Sequence, residues 1–203
     1  MLFIRLMLAS FILVNANANE KFDWKLRKEE SGVKIFTRSI EGSPYDEFKA
    51  TVTIQNTSLT RVLDVIMDVK NYPKNFPNCA SAQVLEQRGK YSDIHYITIK
   101  APWPVADRDA IYEATTSFSE DGKHARIKLI PRGDYREENK NFIRVHNGKG
   151  FWELDEVAPG MVQVVYQFHA DPAGEIPGWL ANLVIVSNPL KTLESLRNLA
   201  KKS

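Results

Sequence analysis

The chain has 203 residues, 43% of them hydrophobic and 26% charged, which is enough to bury one sizeable core and gives no reason to expect several domains. Its 27 basic residues against 25 acidic ones leave a net charge of +2, so there is no bulk electrostatic reason to bind nucleic acid. The single Cys79 excludes an internal disulfide, and stability must come from packing.

At the start of the chain Arg5 precedes an apolar run from Leu6 to Val14, and Ala16, Asn17 and Ala18 supply the small-x-small pattern that a signal peptidase reads. The run is much shorter than the about 20 apolar residues that span a bilayer. The expectation is a cleaved leader over residues 1–18 and one soluble domain over 19–203, exported to a periplasm or secreted. No cysteine stands near the cleavage site to carry a lipid anchor.

Phe22, Trp24 and Leu26 form a short amphipathic start, after which residues 32–40 and 45–54 read as two strands joined by the turn-forming Glu41-Gly42-Ser43-Pro44. They are expected to pair as a hairpin. In the second, Phe48, Ala50, Val52 and Ile54 share one face and Glu47, Lys49, Thr51 and Thr53 the other, the pattern of a sheet with one dry side. The period then changes: Leu59, Val62, Leu63, Ile66 and Val69 recur at helical spacing, with Ser58 as N-cap and Pro73 as the stop.

Beyond the irregular residues 72–79 come strand-like segments at 81–87, 91–100, 107–118, 124–130, 141–146 with 150–154, and 161–170, joined by short turn-rich links. That spacing favours an antiparallel meander. The tail is helical again, because Ile176, Leu180, Leu183, Val184, Ser187, Leu190, Leu193, Leu196 and Ala200 track one face, interrupted once by Pro189, where a kink is expected. An α+β fold follows, a curved antiparallel sheet wrapped around a long carboxy-terminal helix, the helix-grip arrangement.

Nucleophile-elbow, zincin, Walker and dinucleotide-binding patterns are absent. His95, His124, His146 and His169 are scattered singly without metal-ligand spacing, so neither a catalytic residue, a metal nor a cofactor is expected. In Asp107-Arg108-Asp109 the two aspartates share one side of a strand and the arginine lies across from them. An outward Arg108 reads as part of a structural ion pair; an inward one is a buried charge able to hold a ligand headgroup or a carboxylate.

Three stretches together resemble the START (steroidogenic-acute-regulatory-related lipid transfer) family. Ala101-Pro102-Trp103-Pro104-Val105-Ala106-Asp107-Arg108-Asp109 is similar to the loop that leads into its Arg-Asp strand, and Gly150-Phe151-Trp152-Glu153-Leu154 to its Gly-x-Trp strand. Most specific is the run from Asp171-Pro172-Ala173-Gly174-Glu175-Ile176-Pro177-Gly178-Trp179-Leu180 through Pro189-Leu190, which resembles the family's entry into its last helix. The resemblance implies a hydrophobic tunnel between sheet and helix that encloses one lipid, with the helix and a neighbouring loop as gate.

On that fold the ligand-binding residues are expected to be His95, Ile97 and Ile99, then Arg108 and Tyr112, then Leu129, Trp152 and Tyr166, with Leu180, Leu183, Val184 and Ser187 from the helix and Trp103 from the loop. Most would be plain core in a domain without a cavity. The mixture of His95, Arg108, Tyr112 and Ser187 with apolar neighbours is what a pocket orienting a ligand's polar end requires. The implied partner is a lipid or other hydrophobic small molecule, carried by a monomer with transient membrane contact and without nucleic acid. The rival reading is a helix-grip enzyme, an aromatase/cyclase or hydrolase using His95, Arg108 or Tyr112, or a lipid-responsive regulatory module.

Overall fold

The computed structural model describes residues 23–173, 176 and 178–201. The expected leader over residues 1–18 lies outside them. Ten strands are present among the described residues: β1 (Lys25–Glu30), β2 (Val33–Arg38), β3 (Glu47–Gln55), β4 (Cys79–Gly89), β5 (Ser92–Ile99), β6 (Arg108–Phe118), β7 (His124–Pro131), β8 (Ile143–Val145), β9 (Lys149–Ala158) and β10 (Met161–His169). Nine follow one another across a single sheet in the order β1-β2-β3-β10-β9-β7-β6-β5-β4, antiparallel throughout. The expected hairpin is β2 with β3, and the meander runs from β4 to β10, with β8 outside it.

The alternation read from residues 45–54 is the alternation observed. Phe48, Ala50, Val52 and Ile54 are buried, and their partners on β10 are Phe168, Tyr166, Val164 and Val162. Side chains on one pleat therefore form continuous rows across the sheet, such as Ala50, Tyr166, Trp152 and Ile127.

Helix α1 (Leu59–Ile66) is capped as expected: the Ser58 hydroxyl accepts from the Arg61 amide at 3.3 Å. Its end differs from the sequence reading. It stops at Ile66, followed by a 3₁₀ turn (Val69–Asn71) and the single turn α2 (Tyr72–Asn75), in whose first turn Pro73 sits. Proline lacks a donor, which costs nothing in a first turn, so here it opens a helix where the sequence reading has it end one.

Helix α3 (Gly178–Ala200) is the long carboxy-terminal helix expected from the sequence, with Pro189 in its interior. Past Pro189, the buried Leu190, Leu193, Leu196 and Ala200 pack into the core with α1, β2 and β3. Burying a leucine side chain contributes about 1.5–3 kcal/mol, so this half is a strong anchor. Its last carbonyls are also held: Thr57 Oγ1 donates to Ala200 O at 2.7 Å and Arg61 to Leu199 O at 2.9 Å.

Strand β8 pairs in parallel with β6, matching Arg108 to Ile143, Asp109 to Arg144 and Ala110 to Val145. The two edges of the described sheet are unlike its centre. Every side chain of β1 is exposed, and β4 shifts register against β5 at three places.

Candidate functional site

Between the sheet and α3 lies a cavity of about 360 Å³. Its walls come from β5, β6, β7, β9 and β10, from the 66–79 segment, from the loop after β5 and from Ala181, Val184, Ile185, Asn188 and Pro189 of α3. Most of the wall is apolar. Aromatic rings dominate one side: Trp152 and Tyr166 stack with centroids 3.8 Å apart, and Phe168 packs edge-on to Tyr112 at 5.7 Å. Close packing depends on Gly150, where a Cβ would stand 2.3 Å from Gln167 O and 2.5 Å from the Phe168 ring.

Of the residues expected from the sequence, His95, Ile97, Ile99, Arg108, Tyr112, Leu129, Trp152, Tyr166 and Val184 all line this one cavity. Phe48 and Ile127, on the same inward face, line it too. Leu180 and Leu183 fall within α3, but their side chains lie outside the described residues. Ser187 lines a second depression at the cavity's outer edge, together with Asn78, Lys100, Ala101, Pro102, Val184, Asn188 and Lys191. Trp103 is 91% exposed and stands on the loop, away from the wall. An aromatic residue between two prolines in a surface loop carries no period, so its direction is not readable from the sequence.

The 66–79 segment contributes Ile66, Met67, Tyr72, Phe76 and Cys79, which the sequence reading left out. The available signal was Tyr72 and Phe76, two aromatic residues one helical turn apart beside a proline. Their rings meet at 5.1 Å, and the Tyr72 hydroxyl donates to Ile66 O at 2.6 Å. Burial pushes the Cys79 thiol up to about 11, which keeps it protonated and unreactive.

Arg108 points inward and is buried, only 5% exposed. Its guanidinium donates to the carbonyls of Ala106, of Pro172 at 3.4 Å and of Ala173 at 3.2 Å. Among the described residues no carboxylate lies within ion-pair distance. Burial lowers its pKa, opposed by charges that include Asp107, yet an arginine stays charged. The structural ion pair is instead Asp109 with Arg144, on the opposite face of the sheet, at 2.8 Å. Asp107 closes the loop, its Oδ1 accepting from the Ala101 amide at 2.9 Å.

Asn78 and Asn188 meet across the cavity's edge, the Asn78 amide donating to Asn188 Oδ1 at 2.7 Å. This bond joins α3 to the start of β4 where the two depressions touch. Of the α3 residues before Pro189 whose side chains are described, Val184 is 39% exposed.

A curved antiparallel sheet closed by a carboxy-terminal helix over an apolar cavity defines a helix-grip protein. The START domain family model matches residues 10–200, and the chain belongs to that family. Membership implies binding of a lipid or another hydrophobic ligand. A STAR-related lipid transfer protein from Xanthomonas axonopodis has the same fold, with a TM-score of 0.79 and 34% identity over 86% of this chain and 97% of that one. An uncharacterized Pseudomonas aeruginosa protein is 38% identical over 89% of this chain and 88% of its own. Human phosphatidylcholine transfer protein is 25% identical over 89% of this chain and 87% of its own.

Proposed function

We propose that the chain binds one lipid in this cavity, with an anionic part of the ligand at Arg108 and its apolar body along the sheet, and carries it between membranes. The observation that supports this most is a buried cation, held only by described carbonyls, on the wall of an otherwise apolar cavity. An anion can add the charged partner that those carbonyls do not provide. The volume falls within the roughly 300–1,000 Å³ of small-molecule sites. Shielding matters because each buried CH₂ is worth about 0.8 kcal/mol, which makes bare lipid costly to move through water.

Entry lies between the first half of α3 and the loop after β5. Trp103 stands exposed on that loop, with Lys100 and Lys191 lining the depression beside it, a combination suited to brief contact with an anionic bilayer surface. The carrier acts as a monomer and releases its ligand unchanged. Native mass spectrometry after incubation with extracted lipids tests this, since a ligand of altered mass would make the protein an enzyme.

Arg108→Gln is expected to weaken binding of phosphatidylglycerol by roughly tenfold to a hundredfold, because hydrogen bonds to a charged group are worth about 1.5–3 kcal/mol. Affinity and thermal stability are to be measured together. A loss of stability with unchanged affinity per folded molecule would assign Arg108 to holding the Ala106 and Pro172 backbone alone.

The exported location is part of the same proposal. The mature chain is expected to begin at Asn19 and to reach the soluble exported fraction, because the apolar run at 6–14 is short for an anchor. Amino-terminal sequencing of the native protein decides it, and a retained Met1 in the membrane fraction would reverse the assignment.

A further inference from the structure

The cavity carries a second polar locus, set apart from Arg108. Tyr112 lies on the same face of β6 as Arg108, four residues further on and so about 13 Å away. Its cross-strand partner is His95, with ring centroids 6.2 Å apart. His95 is 3% exposed, and its Nδ1 lies 2.6 Å from Asp93 Oδ1, itself 2% exposed. Tyr166 is packed beside the same Phe168 ring that Tyr112 touches, at 6.2 Å.

Three polar atoms here have no partner among the described residues: His95 Nε2 and the hydroxyls of Tyr112 and Tyr166. None is sealed in the protein, since the only buried unpartnered side-chain atom among the described residues is Thr116 Oγ1. All three side chains line the cavity, so these atoms open onto it. Leaving them unmatched against an apolar chain is costly, whereas a matching ligand group removes the cost.

The kind of group follows from charge and proton placement. The Asp93 carboxylate 2.6 Å from Nδ1 is an acceptor that engages this nitrogen and leaves Nε2 as the ring atom available to a ligand. The two phenols stay neutral, because burial raises both above their ordinary range. Among the described residues the formal negative charge touching the cluster is Asp93, which repels an anion. A hydroxyl can donate or accept at Nε2 and also accept from a phenol, and it carries no charge.

We infer that His95, Tyr112 and Tyr166 form a recognition site for a neutral hydroxyl on the body of the ligand, so that the cavity selects hydroxylated lipids. The inference rests on the carrier reading and adds a selectivity to it. Asp93 is a positioning residue that fixes the imidazole.

Ricinoleate and oleate differ only by a mid-chain hydroxyl, and both can place a carboxylate at Arg108. With the purified, delipidated chain, ricinoleate is expected to bind about tenfold more tightly than oleate, the effect of satisfying otherwise unmatched polar groups. Tyr112→Phe combined with Tyr166→Phe keeps both rings and should reduce the ratio of ricinoleate to oleate affinity severalfold. Asp93→Asn combined with His95→Leu should do the same, with melting curves confirming that each variant is folded. Equal affinity of the wild-type chain for the two lipids would overturn the inference and leave the carrier reading intact. Binding of neither would overturn both, and a preference that survives in both folded variants would place the selectivity elsewhere.

Discussion

Asp109→Ala is expected to destabilise the fold by about 3–5 kcal/mol, since it leaves a buried guanidinium without its counter-charge. Asp109 is fully buried, and Arg144 is 3% exposed. Arg144 donates to both oxygens of Asp109, at 2.8 and 3.0 Å, and the Tyr96 hydroxyl donates to the second at 3.0 Å. Arg144 also donates to the carbonyls of Gly133, Arg136 and Glu137, at 2.8, 3.1 and 3.3 Å, fastening the segment between β7 and β8. The pair sits in register on the parallel β6–β8 ladder, so it also fixes which pleat of β6 faces the cavity. For a domain of this size the loss corresponds to a fall in melting temperature of roughly 6–20 °C, read by calorimetry. Replacing both residues with Leu and Met should recover most of it, because an apolar pair of similar volume often matches a buried ion pair. A double variant as unstable as Asp109→Ala would show that the bonds to the loop carbonyls, and not the unpaired charge, carry the effect.

The second large effect concerns exchange. Val184 on α3 and Pro102 on the loop after β5 line the same outer depression, while Leu193 and Leu196 are fully buried further along α3. If ligand enters as proposed, lifting the first half of α3 would leave the anchored half in place, a local opening that exposes part of the chain only. With Cys79 replaced by Ala, cysteines at positions 102 and 184 and a verified crosslink between them should slow lipid exchange between vesicles by at least roughly tenfold, about 1.4 kcal/mol in barrier. Reduction should restore the rate and leave the melting temperature near that of the uncrosslinked protein. Exchange at the uncrosslinked rate would mean that ligand enters elsewhere in the cavity wall.

Much of the fold was readable because it is written in periods. Phe48, Ala50, Val52 and Ile54 at period two, and Leu59, Val62, Leu63 and Ile66 at helical spacing, announce which side is buried without any tertiary knowledge. The strand-borne site residues follow from the same rule, since Arg108 and Tyr112 fall on one pleat. An element without a buried face gave no such signal: every residue of β1 is exposed, so Lys25–Glu30 shows no alternation. β8 lies within the strand-like segment read at 141–146, but its parallel pairing with β6 was not legible. The partner of Asp109 was also hidden, because Arg144 is distant in sequence and meets it only through the parallel ladder.

A chain that opened an apolar cavity repeatedly, as the proposed function requires, would run a risk of sticking to its own copies, and the two margins of the described sheet bear on it. Lys25, Arg27 and Lys28 with Glu29 and Glu30 make β1 a fully exposed, charge-dense border, costly for a second sheet to dock against. On the far side, the three register shifts of β4 break the even ladder of donors and acceptors that an incoming strand needs. Under the proposed function the molecule would thus unseal its apolar interior toward a membrane while the described sheet offers neighbouring molecules no straight edge on which to build an aggregate.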